Sequence, residues 1–160
     1  VLINFATGIN PKIAAAEKRR APDLDDNAGA APFVSGPRAK MRPDGGAIRD
    51  FETGALLFSD REYRLARKPP QLAGRQFVFS EIGCASAECL EGGMAYVLTP
   101  APKRNKDSVE AELLRQGFAR AAVPEFILFG GGAANACCVY QKAITPGEKV
   151  AFGKWGVLVF

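Results

Sequence analysis

From Gly54 onward, apolar and polar positions alternate in short runs divided by turn residues. Ala55–Ser59 and Arg75–Ser80 read as strands. In the second, Phe77 and Phe79 share one face and Gln76 and Val78 the other, the period of two of a half-buried strand. Tyr63–Ala66 is a short strand placed at an edge, because the Arg and Lys around it discourage further pairing. Cys84–Gly93 reads as a loop, and Met94–Thr99 as a strand ended by Pro100 and Pro102. Glu125–Phe129 is the most hydrophobic run. Gly130–Asn135 turns the chain, and Ala136–Gln141 returns as the second arm of a hairpin. Lys149–Phe152 and Val157–Phe160 are the closing strands. A single short helix is expected at Glu110–Gln116, with a capping-box-like start at Asp107-Ser-Val-Glu110 and Gly117 at the C′ position.

The first 53 residues have another texture. Val1–Ala6 could be a strand, and Asn10-Pro11 followed by KIAAAEKRR predicts about two turns of helix, stopped at Ala21-Pro22. Residues 22–46 show neither helical nor strand periodicity and read as an extended arm or linker. Across 21–50 the large apolar side chains are Leu24, Phe33, Val34, Met41 and Ile48. Burial at ~25 cal/mol per Å2 of so little surface does not offset ~1–2 kcal/mol per ordered residue. The arm is therefore expected to lack regular structure and to be held by docking on a sheet or a neighbour. About eight short strands at roughly 8–12-residue spacing predict an all-β, antiparallel, jelly-roll-like sandwich at 54–160, with an N-terminal strand, helix and arm at 1–53. Phe77, Phe126 and Leu128 are placed between the two sheets. Ile127 and Phe129 then face the other way, so Phe129 needs cover from the 110–116 helix, the arm or a partner.

Composition narrows the chemistry. The 160 residues are 48% hydrophobic with 11 Phe, enough for a core, while 17 Gly and 11 Pro supply turns. There is no histidine, which excludes Ser-His-Asp and Cys-His catalysis, HExxH zinc sites and any imidazole base. A net charge of +4 spread over small surface groups predicts no nucleic-acid partner. No apolar run approaches the ~20 residues of a transmembrane helix. The chain opens at Val1 rather than Met, which reads as a processed or excised segment.

Cys84 and Cys89 are spaced C-x4-C, and Cys137 and Cys138 are adjacent. Strand neighbours point to opposite faces, which argues against one shared zinc. The four remain disulfide candidates, as Cys84–Cys89 or a bridge to the 137/138 pair, with buried thiols as the alternative. Gly130-Gly-Gly132 lacks the GK[ST] of a phosphate loop and fits a hairpin turn. Asp23, Asp25 and Asn27 place oxygen donors at alternating positions, as calcium loops do. Ala28 and Val34 stand where an EF-hand needs Gly and Glu, so an irregular calcium site competes with a solvated acidic turn, and no other cofactor is expected. The carboxylates Asp60, Glu62, Glu81, Glu88, Glu91 and Glu125 show no spacing that selects an acid–base pair, and no catalytic residue is assigned.

Aromatic side chains are the better lead. Trp155, the one tryptophan, lies in Gly153-Lys-Trp-Gly156. As a two-residue turn this presents the indole at a loop tip, where it can stack on the apolar face of a sugar or on a partner. As continuous strand it buries the indole in the core. Tyr63, Tyr96 and Tyr140 sit on strands and can line a face, as ordinary strand tyrosines also do, and Tyr63, Tyr140 and Arg61 complete the candidate ligand-binding set.

Leu57-Phe-Ser-Asp-Arg61 with Tyr63, then Pro70, Leu72, Gly74 and Phe77, form one motif. Val139-Tyr-Gln-Lys142, Pro146-Gly-Glu-Lys149-Val and Gly153 form a second. Residues 54–160 thereby resemble small accessory β-sandwich modules appended to secreted or surface hydrolases of environmental bacteria. The resemblance implies a non-catalytic module of an exported or cell-surface protein that binds glycan or packs on a neighbouring domain. The alternative expectation is an interaction subunit whose arm wraps a partner chain. A carboxylate- or metal-dependent hydrolase comes third.

Overall fold

The computed structural model describes residues 29–83 and 86–160. The strand expected at Val1–Ala6, the helix expected after Pro11, the candidate Asp23, Asp25 and Asn27 turn, and Cys84 lie outside them.

The longest pairing is antiparallel, between β7 (Gly93–Pro100) and β10 (Ala136–Ile144), in unbroken register from Gly93 opposite Ile144 to Pro100 opposite Cys137. On the far side of β7 lies β12 (Val157–Val159), then β5 (Gln76–Phe79) and β2 (Ala47–Asp50). On the far side of β10 lie β8 (Ala119–Arg120) and β9 (Phe126–Ile127). A smaller antiparallel sheet stacks β1 (Lys40–Pro43), β6 (Ser86–Glu91) and β11 (Lys149–Ala151). A hairpin of β3 (Leu56–Phe58) and β4 (Arg61–Arg64) stands apart. The protein is an antiparallel β-sandwich.

Alternation along the central strands feeds two separate cores. Ala95, Val97, Cys138, Tyr140, Leu158 and Phe160 face the smaller sheet, where Met41, Ala87, Cys89 and Val150 meet them. Tyr96, Leu98, Val139, Val157 and Val159 face the other way, under Leu57 and Phe58 of β3 and the loop residues Phe51, Leu65 and Leu72. The large sheet is thus buried on both faces. Phe77, Phe126 and Leu128 are buried as expected, but in this second core, under the hairpin and loops rather than between the two sheets. The cause is the third layer, which the sequence pattern does not announce. Phe129 is covered by Tyr63, whose ring stacks on it at 4.6 Å, and by Trp155 at 6.1 Å.

Two stretches read as irregular form strands. Residues 40–43 and 47–50 of the arm are β1 and β2, paired to β6 and β5. Ser86–Glu91, read as a loop, is the central strand β6 of the smaller sheet. Its inward residues are Ala87 and Cys89, too small to register as a hydrophobic period. The irregular part, 32–37, docks on its own sheet. Phe33 stacks on Tyr96 at 5.1 Å. The Tyr96 hydroxyl donates to the Val34 carbonyl at 2.6 Å, and Arg75 donates to the Gly36 carbonyl at 2.9 Å. Gln141 accepts from the Val34 N–H and donates to the Pro32 carbonyl, each at 2.8 Å. The sheet's side chains take the place of a partner strand for this backbone.

Helix α1 (Glu110–Arg115) buries Leu113 and ends before Gly117, whose φ of 93° suits glycine. Its start is not a capping box. Thr99 Oγ1 accepts the Val109 N–H at 3.0 Å and Ser108 Oγ accepts the Glu110 N–H at 3.3 Å. Cys89, Cys137 and Cys138 are free and buried, so none of them forms the bridge weighed from the sequence. Cys137 and Cys138 belong to opposite cores, as strand neighbours must.

Phe126→Ala is expected to cost ~3–5 kcal/mol in urea unfolding, and Phe129→Ala, half-buried at a rim, no more than about 2 kcal/mol. The reverse order would mean that the 125–129 segment is out by one residue. Thiol titration of the denatured, unreduced protein should find at least three free thiols, Cys89, Cys137 and Cys138. In the native state these should react slowly, since burial pushes the Cys138 thiol up to about 11 and Cys137 higher still. Fewer than three would contradict the structure.

Candidate functional site

Trp155 is neither in a strand nor in the core. Gly153–Gly156 is a tight turn closed by the Gly156 N–H on the Gly153 carbonyl at 3.1 Å. Trp155 takes φ of 67°, the one non-glycine residue in the left-handed region among the described residues. Such a conformation costs ~1–3 kcal/mol and persists where the surroundings over-determine it. Here they do. A Cβ on Gly156 would lie 1.8 Å from the Phe152 carbonyl oxygen, so the turn closes only with glycine there. The indole is held edge-on by Phe58 at 6.0 Å.

Tyr63 arrives from β4 and Phe129 from the end of the β9 arm. Tyr63 lies 5.7 Å from Trp155, and Phe129 lies 6.1 Å from it. With the 4.6 Å Tyr63–Phe129 stack, the three rings touch one another. No ligand fits between them, unlike the cages that enclose a quaternary ammonium. They make instead one continuous apolar surface, on which Tyr63 remains 36% exposed.

That surface borders a cavity of about 340 Å3 floored by Pro100 and Cys137, the last pair of the β7–β10 ladder. Asn105, Asp107 and Asn135 are among its lining side chains. Gly130 and Gly131, at φ of 85° and 87°, turn the chain out of β9, and Asn135 Nδ2 secures the turn on the Gly130 carbonyl at 2.9 Å. Asn105 Nδ2 donates to the Ala134 carbonyl at 3.0 Å and its Oδ1 accepts the Asp107 N–H at 2.9 Å, so two loops close on one rim. Among the described residues no lysine or arginine lines the cavity.

Of the residues singled out from the sequence, Trp155 and Tyr63 come together here. Arg61 does not. Two residues before Tyr63, it is exposed, donates to the Asp60 carbonyl at 2.9 Å and pairs with the Asp60 carboxylate at 3.4 Å. Tyr140 is buried on the opposite face, where its hydroxyl donates to Glu110 and ties α1 to β10. Burial, reinforced by that hydrogen bond, drives its phenol pKa far up, and no ligand reaches it. The strand period puts Tyr140 on the other side of the sheet from the cleft-lining Cys137.

Four of the candidate carboxylates sit in four distinct exposed or half-exposed ion pairs, Asp60 with Arg61, Glu62 with Arg64, Glu88 with Arg42 and Glu91 with Lys40. Glu125 is buried between Arg104 at 2.8 Å and Arg120 at 3.5 Å. Among the described residues no three His, Cys, Asp or Glu converge as metal ligands, and no helix is long and apolar enough to cross a membrane. Phe129, Asn105, Asp107 and Asn135 were not expected at a site. The single hint was that Phe129 needed cover.

Trp155→Gly relieves the backbone and removes the indole. Unfolding free energy is expected to fall by no more than about 2 kcal/mol, because relief of ~1–3 kcal/mol offsets the lost ring contacts. A loss above ~4 kcal/mol would show the indole to be core rather than surface.

No protein-family model and no curated protein matches the sequence. Solved structures match the fold. A β-glucuronidase from glycoside hydrolase family 2 superposes with a TM-score of 0.51 over 80% of this chain and 15% of its own, at 14% identity. A glycoside hydrolase family 138 enzyme targeting pectin rhamnogalacturonan II superposes with a TM-score of 0.51 over 81% of this chain and 16% of its own, at 12% identity. The chain thus spans about 15–16% of the length of these enzymes. At such identities the likeness is one of fold, a β-sandwich found within much larger glycoside hydrolase chains.

Proposed function

We propose that this chain is a non-catalytic accessory β-sandwich module of an exported bacterial protein, and that it binds glycan on the surface made by Tyr63, Phe129 and Trp155. The observation that carries the proposal is the meeting of three touching rings with a polar-rimmed cavity of about 340 Å3. A pyranose has an apolar face of C–H bonds and a rim of hydroxyls. The rings match the first, and the side chains of Asp107 and Asn135 match the second. The cavity lies at the small end of the ~300–1,000 Å3 typical of ligand pockets, which suits a chain end better than a long run of sugar units. The scatter of the carboxylates among separate ion pairs supports binding rather than hydrolysis. Docking of residues 32–37 on their own sheet favours this reading over an arm that wraps a partner.

Native affinity electrophoresis through gels holding soluble polysaccharides tests it. At least one glycan should retard the protein. Trp155→Ala should weaken that retardation about thirtyfold or more, the ~2 kcal/mol of a central aromatic anchor. Arg61→Ala should leave it unchanged. No retardation by any glycan, or retardation that survives Trp155→Ala, would overturn the proposal.

A further inference from the structure

We infer that the cleft selects neutral glycans and rejects uronic acids, and that Asp107 sets this choice. The inference rests on the glycan-binding reading and adds the class of sugar. Asp107 stands where a capping box would use its carboxylate on the Glu110 N–H. The structure gives that N–H to Ser108 Oγ and the Val109 N–H to Thr99 Oγ1. The Asp107 carboxylate therefore has no hydrogen bond or ion pair among the described residues, although its backbone N–H is fixed on Asn105. It is exposed at the cavity, free to meet a ligand.

The other polar side chains at the cavity carry no charge to offset that of Asp107. Asn105 uses its Nδ2 on the Ala134 carbonyl and its Oδ1 on the Asp107 N–H. Asn135 uses one Nδ2 hydrogen on the Gly130 carbonyl, which leaves its Oδ1 and its second Nδ2 hydrogen. The Asp107 carboxylate is acceptor-only, so a ligand that meets it must bring donors there. Sugar hydroxyls are donors. An ionised sugar carboxylate is acceptor-only. It would face the charge of Asp107 with no lysine or arginine among the lining residues to offset it. Lys106 and Lys154, next in sequence to Asp107 and Trp155, are exposed and do not line the cavity. The local sign is thus negative in a chain whose net charge is +4. At a few ångströms, like charges near a protein surface disfavour binding well beyond tenfold before salt screening.

The test uses pairs of methyl glycosides that differ only at C6, glucoside against glucuronide, galactoside against galacturonide and mannoside against mannuronide. Trp155, the one tryptophan, reports binding through its fluorescence. For any neutral glycoside that binds, its uronide should bind at least about tenfold more weakly at low salt, with a smaller gap at 1 M salt. In Asp107→Asn, with folding checked by circular dichroism, the gap should close to within about threefold, since the isosteric amide removes the charge. A uronide that binds as tightly as its neutral partner, or a gap that Asp107→Asn leaves intact, would overturn the inference while leaving the glycan reading in place. Silence of every pair in Trp155 emission, together with no retardation by any polysaccharide, would overturn both.

Discussion

The β7–β10 ladder is the constraint on which the rest depends. Its register decides which side chains of the two central strands enter each core, and a slip of one residue would exchange Tyr96 and Leu98 for Ala95 and Val97. The same register places the cleft. Pro100 and Cys137, the last pair, form its floor. β12 pairs Val157 with Leu98, which brings the Trp155 turn beside the end of β7. β9 pairs Phe126 with Cys137, which carries Phe129 to the same corner. The bridge between Phe58 and Ser80 holds the β3–β4 hairpin there and with it Tyr63. Three rings far apart in sequence meet because three pairings converge on one end of one ladder.

Buried polar contacts fix the loops around that corner. Glu125 accepts from Arg104 and Arg120 with its carboxylate out of water, and Arg104 starts the loop that carries Asn105 and Asp107. Such a buried pair adds little net stability over apolar packing, but loss of one partner leaves a stranded charge at a cost of ~3–5 kcal/mol. Its value here is positional, since it joins the 104–107 loop to β8 and the entry to β9. Thr99, buried at the end of β7, does the same for the start of α1 by accepting the Val109 N–H. The cleft rim is thus anchored on buried groups rather than on surface ion pairs, which contribute only ~0–1 kcal/mol each.

Much of the sandwich is legible in the sequence, and the reasons differ by element. β3, β5, β7, β10, β11 and β12 carry large side chains that alternate or run continuously, so burial shows as pattern. β6 hides because its inward residues, Ala87 and Cys89, are small where two sheets approach. β1 and β2 hide because a single buried residue, Met41, and pairing to β6 and β5 hold them, which no local window contains. The site divides in the same way. Trp155 between glycines and Tyr63 on an edge strand each carry a local signal. Tyr140 carries the same strand signal and is core, because face assignment needs the register. Asn105, Asp107 and Asn135 carry none, because their convergence is wholly tertiary. The apparent capping box at Asp107 even points away from the free carboxylate that the structure leaves at the cavity.

NMR of the single indole most directly tests the proposal that the Trp155 surface meets a glycan. With one tryptophan in the chain, one indole N–H resonance is expected in a proton–nitrogen spectrum. Titration with a glycan that retards the protein should shift that resonance, together with the side-chain amides of Asn105 and Asn135, and leave the amides of β1, β6 and β11 in place. Shifts confined to the smaller sheet or to the β2 edge, with the indole unmoved, would place the binding surface elsewhere and contradict the account.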